Sequence, residues 1–275
     1  PREMGGVVIG YSGGVDSTFL LKVASTVLGP KALAVIGQSE TYPTKAFEEA
    51  VADCSEALRL EPGNACAFSL RGAAWADMRD YDKAHQDCGE ALRLDPKAAI
   101  AWAIRAAVWL QEGDYVKAIE DANQALQADP YLAWAYSIRG TGRLKNLIEF
   151  GSAVEDCRTA IRLDPDEAWN YQSLAQIQAT CPDGTYRDAA AALENANQAM
   201  TLLKASDIGR WRVVDTLAAA YADGGQFDQA VEWQNKAIEL LAKDPYATDQ
   251  DKAELRSRLE LYKQGKPYRQ EPKKQ

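Results

Sequence analysis

A 34-residue ruler runs through this chain. Pro62, Pro96, Pro130 and Pro165 step by 34, 34 and 35 residues, and the same steps separate Ala50, Ala84, Ala118 and Ala153, Ala57, Ala91, Ala125 and Ala160, and the aromatics Phe47, Tyr81, Tyr115 and Phe150. Cys54 and Cys88 obey the ruler, and Cys157 follows 69 residues later, twice 34 plus one. A fixed period of this length marks units that each hold a helix pair, cannot bury their apolar faces alone, and build a continuous core by stacking. The period predicts a mainly α fold, a helical solenoid.

The unit over residues 65–96 shows the design. Phe68, Gly72, Trp75, Asp80, Tyr81, Ala84 and Ala91 recur as Trp102, Ala106, Trp109, Asp114, Tyr115, Ala118 and Ala125, and Pro96 or Pro130 closes each unit. Small residues let two helices approach, aromatics fill the wedge towards the neighbouring unit, and proline stops the second helix. The pattern resembles the tetratricopeptide repeat. Later units drift from it, with one residue inserted before Phe150 and a longer inter-helix loop at residues 181–186. The resemblance spans about residues 45–265 and implies a right-handed α-solenoid of about five and a half repeats, placed at residues 44–265. Within that span Ala253, Leu255, Leu259, Leu261 and Tyr262 have the spacing of a capping helix, and residues 266–275 read as a basic disordered tail.

The first repeat lacks its first helix. Residues 44–62 supply a second helix, but residues 31–43 read as a buried strand and a loop. Ahead of them, the apolar residues 7–10, a glycine turn at residues 11–17 and an apolar helix at residues 18–28 complete a small βαβ fragment, residues 1–43. A strand, a glycine loop and a helix N-terminus make an anion cradle, because successive N–H groups converge where the helix dipole favours negative charge. The run Ser12-Gly13-Gly14-Val15-Asp16-Ser17 resembles the PP-loop of ATP pyrophosphatases, and residues 5–43 resemble the opening of the LarE-like ATP-dependent sacrificial sulfur transferases. That resemblance implies that Ser12, Gly13, Gly14, Asp16 and Ser17 hold the pyrophosphate part of Mg-ATP. The rest of that α/β domain is absent and the matching segment has no cysteine. The expectation is a truncated PP-loop that acts as an end-cap, with weak Mg-ATP binding as the alternative and no cofactor required.

Charge and composition narrow the function. The net charge is −9 and no face is basic outside the C-terminal tail, which argues against nucleic acid as a partner. No apolar run is long enough to span a membrane, and no secretory leader is visible, so the expected location is cytoplasmic, with the five cysteines reduced. His85 is the only histidine, too little for a metal site or a triad, and no catalytic residues or metal ligands are expected. Cys54, Cys88 and Cys157 share a slot that holds Ala122 in the intervening unit, a small core position, whereas Cys181 falls in a loop. Arg71, Arg105 and Arg139 step by 34, as do Asp53, Asp87 and Asp121, with Asp156 a further 35 on; equal periods predict ion pairs within the stack.

In the tetratricopeptide family the first helices line a concave groove, which implies a protein or peptide partner there. The repeat phase assigns Ser69, Ala73, Ala103, Trp134, Ser137, Thr141, Trp169 and Gln172 to that surface. The expected function is a protein-interaction scaffold. The alternative is an ATP-binding or adenylating module fused to repeats, and a third reading makes the front end a functionless fusion.

Overall fold

A computed structural model describes residues 8–11, 33–36, 43–204 and 209–271. Twelve α-helices lie among the described residues, and the chain forms two compact units, Pro1–Pro130 and Tyr131–Gln275.

In the first unit, two four-residue strands, β1 (Val8–Tyr11) and β2 (Leu33–Ile36), pair in parallel, Val8 opposite Leu33 and Tyr11 opposite Ile36. The expected intervening helix and the turn with Ser12, Gly13, Gly14, Asp16 and Ser17 lie outside the described residues. Then come α1 (Pro43–Leu60), α2 (Ala65–Asp77), α3 (Tyr81–Leu94), α4 (Ala99–Glu112) and α5 (Tyr115–Ala128). Helix α1 is the expected second helix of an incomplete first repeat. Each later pair begins its second helix on an aspartate, Asp80 or Asp114, whose carboxylate accepts the N–H of Lys83 or Lys117 three residues on. Each pair ends on Asp95 or Asp129, held extended (φ −134° and −138°) because proline follows and disfavours the helical conformation at the preceding residue. The turn between the helices needs a left-handed residue, Gly113 in α4–α5 and Arg79 in α2–α3 (φ 85° and 57°).

The second unit continues with α6 (Ala133–Lys145), α7 (Phe150–Leu163), α8 (Ala168–Thr180), a 3-10 turn (Gly184–Tyr186), α9 (Ala189–Leu202), α10 (Arg210–Asp223), α11 (Phe227–Leu241) and α12 (Asp249–Lys263). Helix α12, the expected cap, starts on a capping box between Thr248 and Asp251 and buries Leu255, Leu259 and Tyr262.

Cys181 begins the expected loop after α8, and its side chain lies in a core of Leu144, Val154, Cys157, Leu174 and Ile177. One expectation is corrected here. The predicted basic disordered tail is, as far as residue 271, a packed strap. The Gln270 N–H donates to the Thr180 carbonyl at 2.9 Å, and Gln270 is buried, contacts more than 80 residues away in sequence.

The small-residue slots lie where the ruler put them. Cys54, Cys88, Ala122 and Cys157 are buried, and opposite them Gly72 and Gly140 leave no room for a side chain. A Cβ at Gly140 would meet the Ala153 carbonyl and Cys157 Sγ, both at 2.8 Å, whereas one at Gly89 on α3 would meet nothing. Gly140→Ala should therefore lower stability by about 1–3 kcal/mol, and Gly89→Ala should raise it by up to about 1 kcal/mol through helix propensity. Thermal melts of the two variants check this; a Gly140→Ala melt at or above wild type would show that the helices can separate.

Candidate functional site

The first helix of each repeat carries the residues expected to meet a partner, so its geometry decides what the surface can do. Side chains on its other side are tied to the second helix of the same repeat. Arg71 donates through Nε and Nη2 to both oxygens of Asp87 at 2.7 and 2.8 Å, Arg105 to Asp121 at 2.7 and 2.9 Å, and Arg139 to Asp156 at 2.9 and 2.7 Å. The aromatic three residues before each arginine, Phe68, Trp102 or Tyr136, lies 5.6, 4.7 or 5.3 Å from the guanidinium. The hydrogen bonds that Arg71 and Arg105 donate to Asp87 and Asp121 raise their pKa above the already high arginine range. Arg71, Arg105 and Arg139 with Asp87, Asp121 and Asp156 are thus internal braces, as their shared period predicts.

Ser69, Ala103, Ser137, Gln172 and Asp215 occupy one repeat position, and all are buried. In the second unit this position reaches across to the following helix. The Ser137 hydroxyl donates to Asn170 Oδ1 at 2.6 Å, Gln172 Nε2 donates to the Thr216 hydroxyl at 3.3 Å, and Asp215 accepts from Arg258 on the capping helix. Thr141, half-buried, donates to the Ser173 hydroxyl at 3.2 Å. Of the eight expected partner-binding residues, Ser69, Ala73, Ala103, Ser137 and Gln172 are buried, and only Trp134, Thr141 and Trp169 keep part of their surface open. Trp134 and Trp169 stand at the second residue of α6 and α8, the same position in successive repeats, and a Cβ at Gly209 would meet Trp169 Cη2 at 3.3 Å.

Sequence reasoning missed three participants. Asn170 ties α6 to the end of α7, because its Nδ2 donates to the carbonyls of Ala160 and Asp164 at 3.2 and 2.9 Å while its Oδ1 serves Ser137. Gln234 sits in the slot that Cys88, Ala122, Cys157 and Ala196 fill elsewhere, and its Nε2 donates to Asp215 and to the Leu255 carbonyl. Lys145 closes α6, and burial with Arg258 nearby pushes its amine down to about 8. Its repeat position, shared with Thr180 and Asp223, was visible in the ruler, but its surroundings were not.

Burial pushes the Cys54 and Cys88 thiols up to about 12, far above where a nucleophilic thiolate forms. His85 Nε2 lies 2.8 Å from Glu112 and its ring lies against Trp109 with centroids 3.9 Å apart, a packing role. Among the described residues no group of three His, Cys, Asp or Glu side chains is placed to hold a metal, and no helix is long and apolar enough to cross a membrane.

Family profiles described as tetratricopeptide repeat match residues 70–133 and 213–243. The chain carries tetratricopeptide repeats. Neither match reaches the N-terminal segment that resembles a PP-loop. The fold is shared with a chain of the APC/C hetero-tetramer Cut9–Hcn1, at 16% identity and a TM-score of 0.63 over 82% of this chain and 43% of that one. This chain thus spans less than half of that protein's length. A thermophilic repeat protein of Thermus thermophilus matches at 20% identity and a TM-score of 0.53, over 77% of this chain and 99% of that one. No curated protein sequence matches.

The last two helix pairs, α8–α9 and α10–α11, carry Leu174 and Asn195, then Leu217 and Trp233, where earlier repeats carry the arginine and the aspartate. Arg105→Ala should cost about 1–3 kcal/mol, because it leaves the buried Asp121 carboxylate unpaired. Arg105→Leu with Asp121→Asn, the pairing used at Leu174 and Asn195, should recover most of that loss. Denaturant melts of the three proteins check it, and a wild-type midpoint for Arg105→Ala would remove the brace from the account.

Proposed function

We propose that this chain is a protein-interaction scaffold that holds a segment of a partner protein on the first helices of its tetratricopeptide repeats. One observation carries the reading: Trp134 and Trp169 repeat at one position of α6 and α8 and keep part of their surface open, while the neighbouring polar position is consumed between helices. Large, rigid, amphipathic side chains flanked by small residues are what anchors a partner's apolar side chains. The likeness in fold to a chain of a hetero-tetrameric assembly supports this reading. The positions that would need Lys, Arg or Asn to grip an acidic tail are largely Ala, Ser, Thr and Gln.

A second reading, weak Mg-ATP binding at Ser12, Gly13, Gly14, Asp16 and Ser17, draws on the parallel pairing of β1 and β2, the frame that a strand–loop–helix phosphate cradle requires. Calorimetry with Mg-ATP on wild type and Asp16→Ala tests it.

The scaffold reading is tested with peptides selected from a displayed library on the full chain. Trp134→Ala or Trp169→Ala should weaken the recovered peptides roughly tenfold or more, and added salt should change the affinity little. Peptides whose binding survives both substitutions and collapses with salt would sink the reading.

A further inference from the structure

The C-terminal strap lies on a feature that the repeat phase defines. Lys145, Thr180 and Asp223 occupy one repeat position, the end of the first helix in three successive repeats. After α12 the chain turns at Gly265 (φ 67°) and runs back along this row. Tyr268 lies under the Arg258 guanidinium, 4.3 Å from it. Arg269 donates from Nη2 to Asp223 at 2.5 Å and from Nη1 to the Ala179 carbonyl at 3.3 Å. The Gln270 N–H donates to the Thr180 carbonyl at 2.9 Å, and its side-chain oxygen accepts from Lys145 Nζ at 3.3 Å.

The chemistry of this row is that of helix C-termini. Their last carbonyls have no partner within the helix and carry the negative end of the helix dipole, so N–H donors and guanidinium groups satisfy them. Asp223 adds a full charge in a place that is nearly closed to solvent. The strap itself belongs to no helix or sheet, so these contacts, together with Tyr268 packed against Ala218, Ala222 and Tyr262, are what hold it.

We propose that the C-terminal ends of α6, α8 and α10 form a docking site for an extended peptide with an aromatic–arginine–carboxamide run, and that residues 266–271 occupy it in cis. The anchors permit exchange. Asp223 also pairs with Arg187 at 3.2 Å, and Arg258 also pairs with Asp215, so departure of the strap strands neither charge. The carbonyls at the helix ends and the Lys145 amine then turn to water. A partner with the same run makes the same bonds and must outcompete a tethered segment. The site is separate from the tryptophan face, which lies at the opposite end of α6 and α8, about 16 Å away at 1.5 Å per residue.

The test uses the full chain and a labelled synthetic peptide of residues 265–271. In wild type the Gln270 amide should exchange hydrogen roughly tenfold or more slowly than in the free peptide, and equal rates overturn the proposal. The full-chain variant Tyr268→Ala/Arg269→Ala, with its strap unanchored, should bind the peptide roughly tenfold or more tightly than wild type, since the tethered strap competes at an effective concentration of order millimolar. Adding Asp223→Asn to it should remove most of that gain, whereas adding Trp134→Ala should leave it intact, which separates this site from the proposed groove. With melting curves preserved, equal binding by wild type and the unanchored variant, or binding indifferent to Asp223→Asn, overturns the proposal. If the unanchored variant does not fold, wild type decides alone: roughly millimolar peptide should speed exchange at Gln270, and no change overturns the proposal.

Discussion

The distance at which the two helices of a repeat cross governs most of what else the repeats can do. At Gly72 and Gly140 the partner helix is so near that Cys88 and Cys157 sulfur atoms would touch an added Cβ, and alanine takes the glycine's place at Ala106, Ala175 and Ala218. Interiors packed to this density transmit small volume changes instead of absorbing them. The crossing therefore fixes which residues on the two helices face one another. Arg71 and Asp87, one residue from Gly72 and Cys88, come within bidentate reach because small residues at the crossing let the backbones approach, as Ala106 and Ala122 do for Arg105 and Asp121.

Charge follows from this closeness. A guanidinium and a carboxylate held between packed helices are stable as a pair and costly apart. The two sides accordingly change together along the chain. Arginine and aspartate persist through the repeats of Arg71, Arg105 and Arg139; where Leu174 and Leu217 replace the arginine, Asn195 and Trp233 replace the aspartate. Asn195 then serves its own helix and Gln178, donating to the Ala191 carbonyl and to Gln178 Oε1 at 2.9 Å each.

The repeat period, the capping prolines, the cysteine slot and the Arg–Asp braces were all legible in the sequence, because each is a property of one repeat that recurs in phase. Ser137 and Gln172 were legible only in part. Phase places them on the inner helix, yet whether they face solvent depends on how far the next inner helix leans over them, and Asn170 and Thr216 cover them. Gln270 was misread, and the burial of Cys181 in its loop was not legible, for one reason: a proline-flanked loop and a basic tail are polar by composition, and their burial comes from partners such as Ile177, Leu144 and Thr180 that no local pattern announces. Ser12, Gly13, Gly14, Asp16 and Ser17 lie outside the described residues, so their motif stands on sequence alone.

The end of the array shows what a repeat does without a successor. Inside it, the position of Ser137 and Gln172 needs only a neutral hydrogen bond to the next helix, since another repeat of the same shape follows. At Asp215 the successor is α12, and the contact becomes a buried ion pair with Arg258, braced by Gln234 in a slot that elsewhere admits nothing larger than cysteine or alanine. Polar groups buried at a helix interface act mainly by excluding misaligned arrangements, because a shifted register strands them. A helix packed on the last repeat one turn out of place would take Arg258 from Asp215 and the Leu255 carbonyl from Gln234, and would carry Arg258 away from Tyr268. The same ion pair thus sets where the cap sits and where the strap begins its return, which places Arg269 and Gln270 within reach of the row of helix ends at Asp223, Thr180 and Lys145.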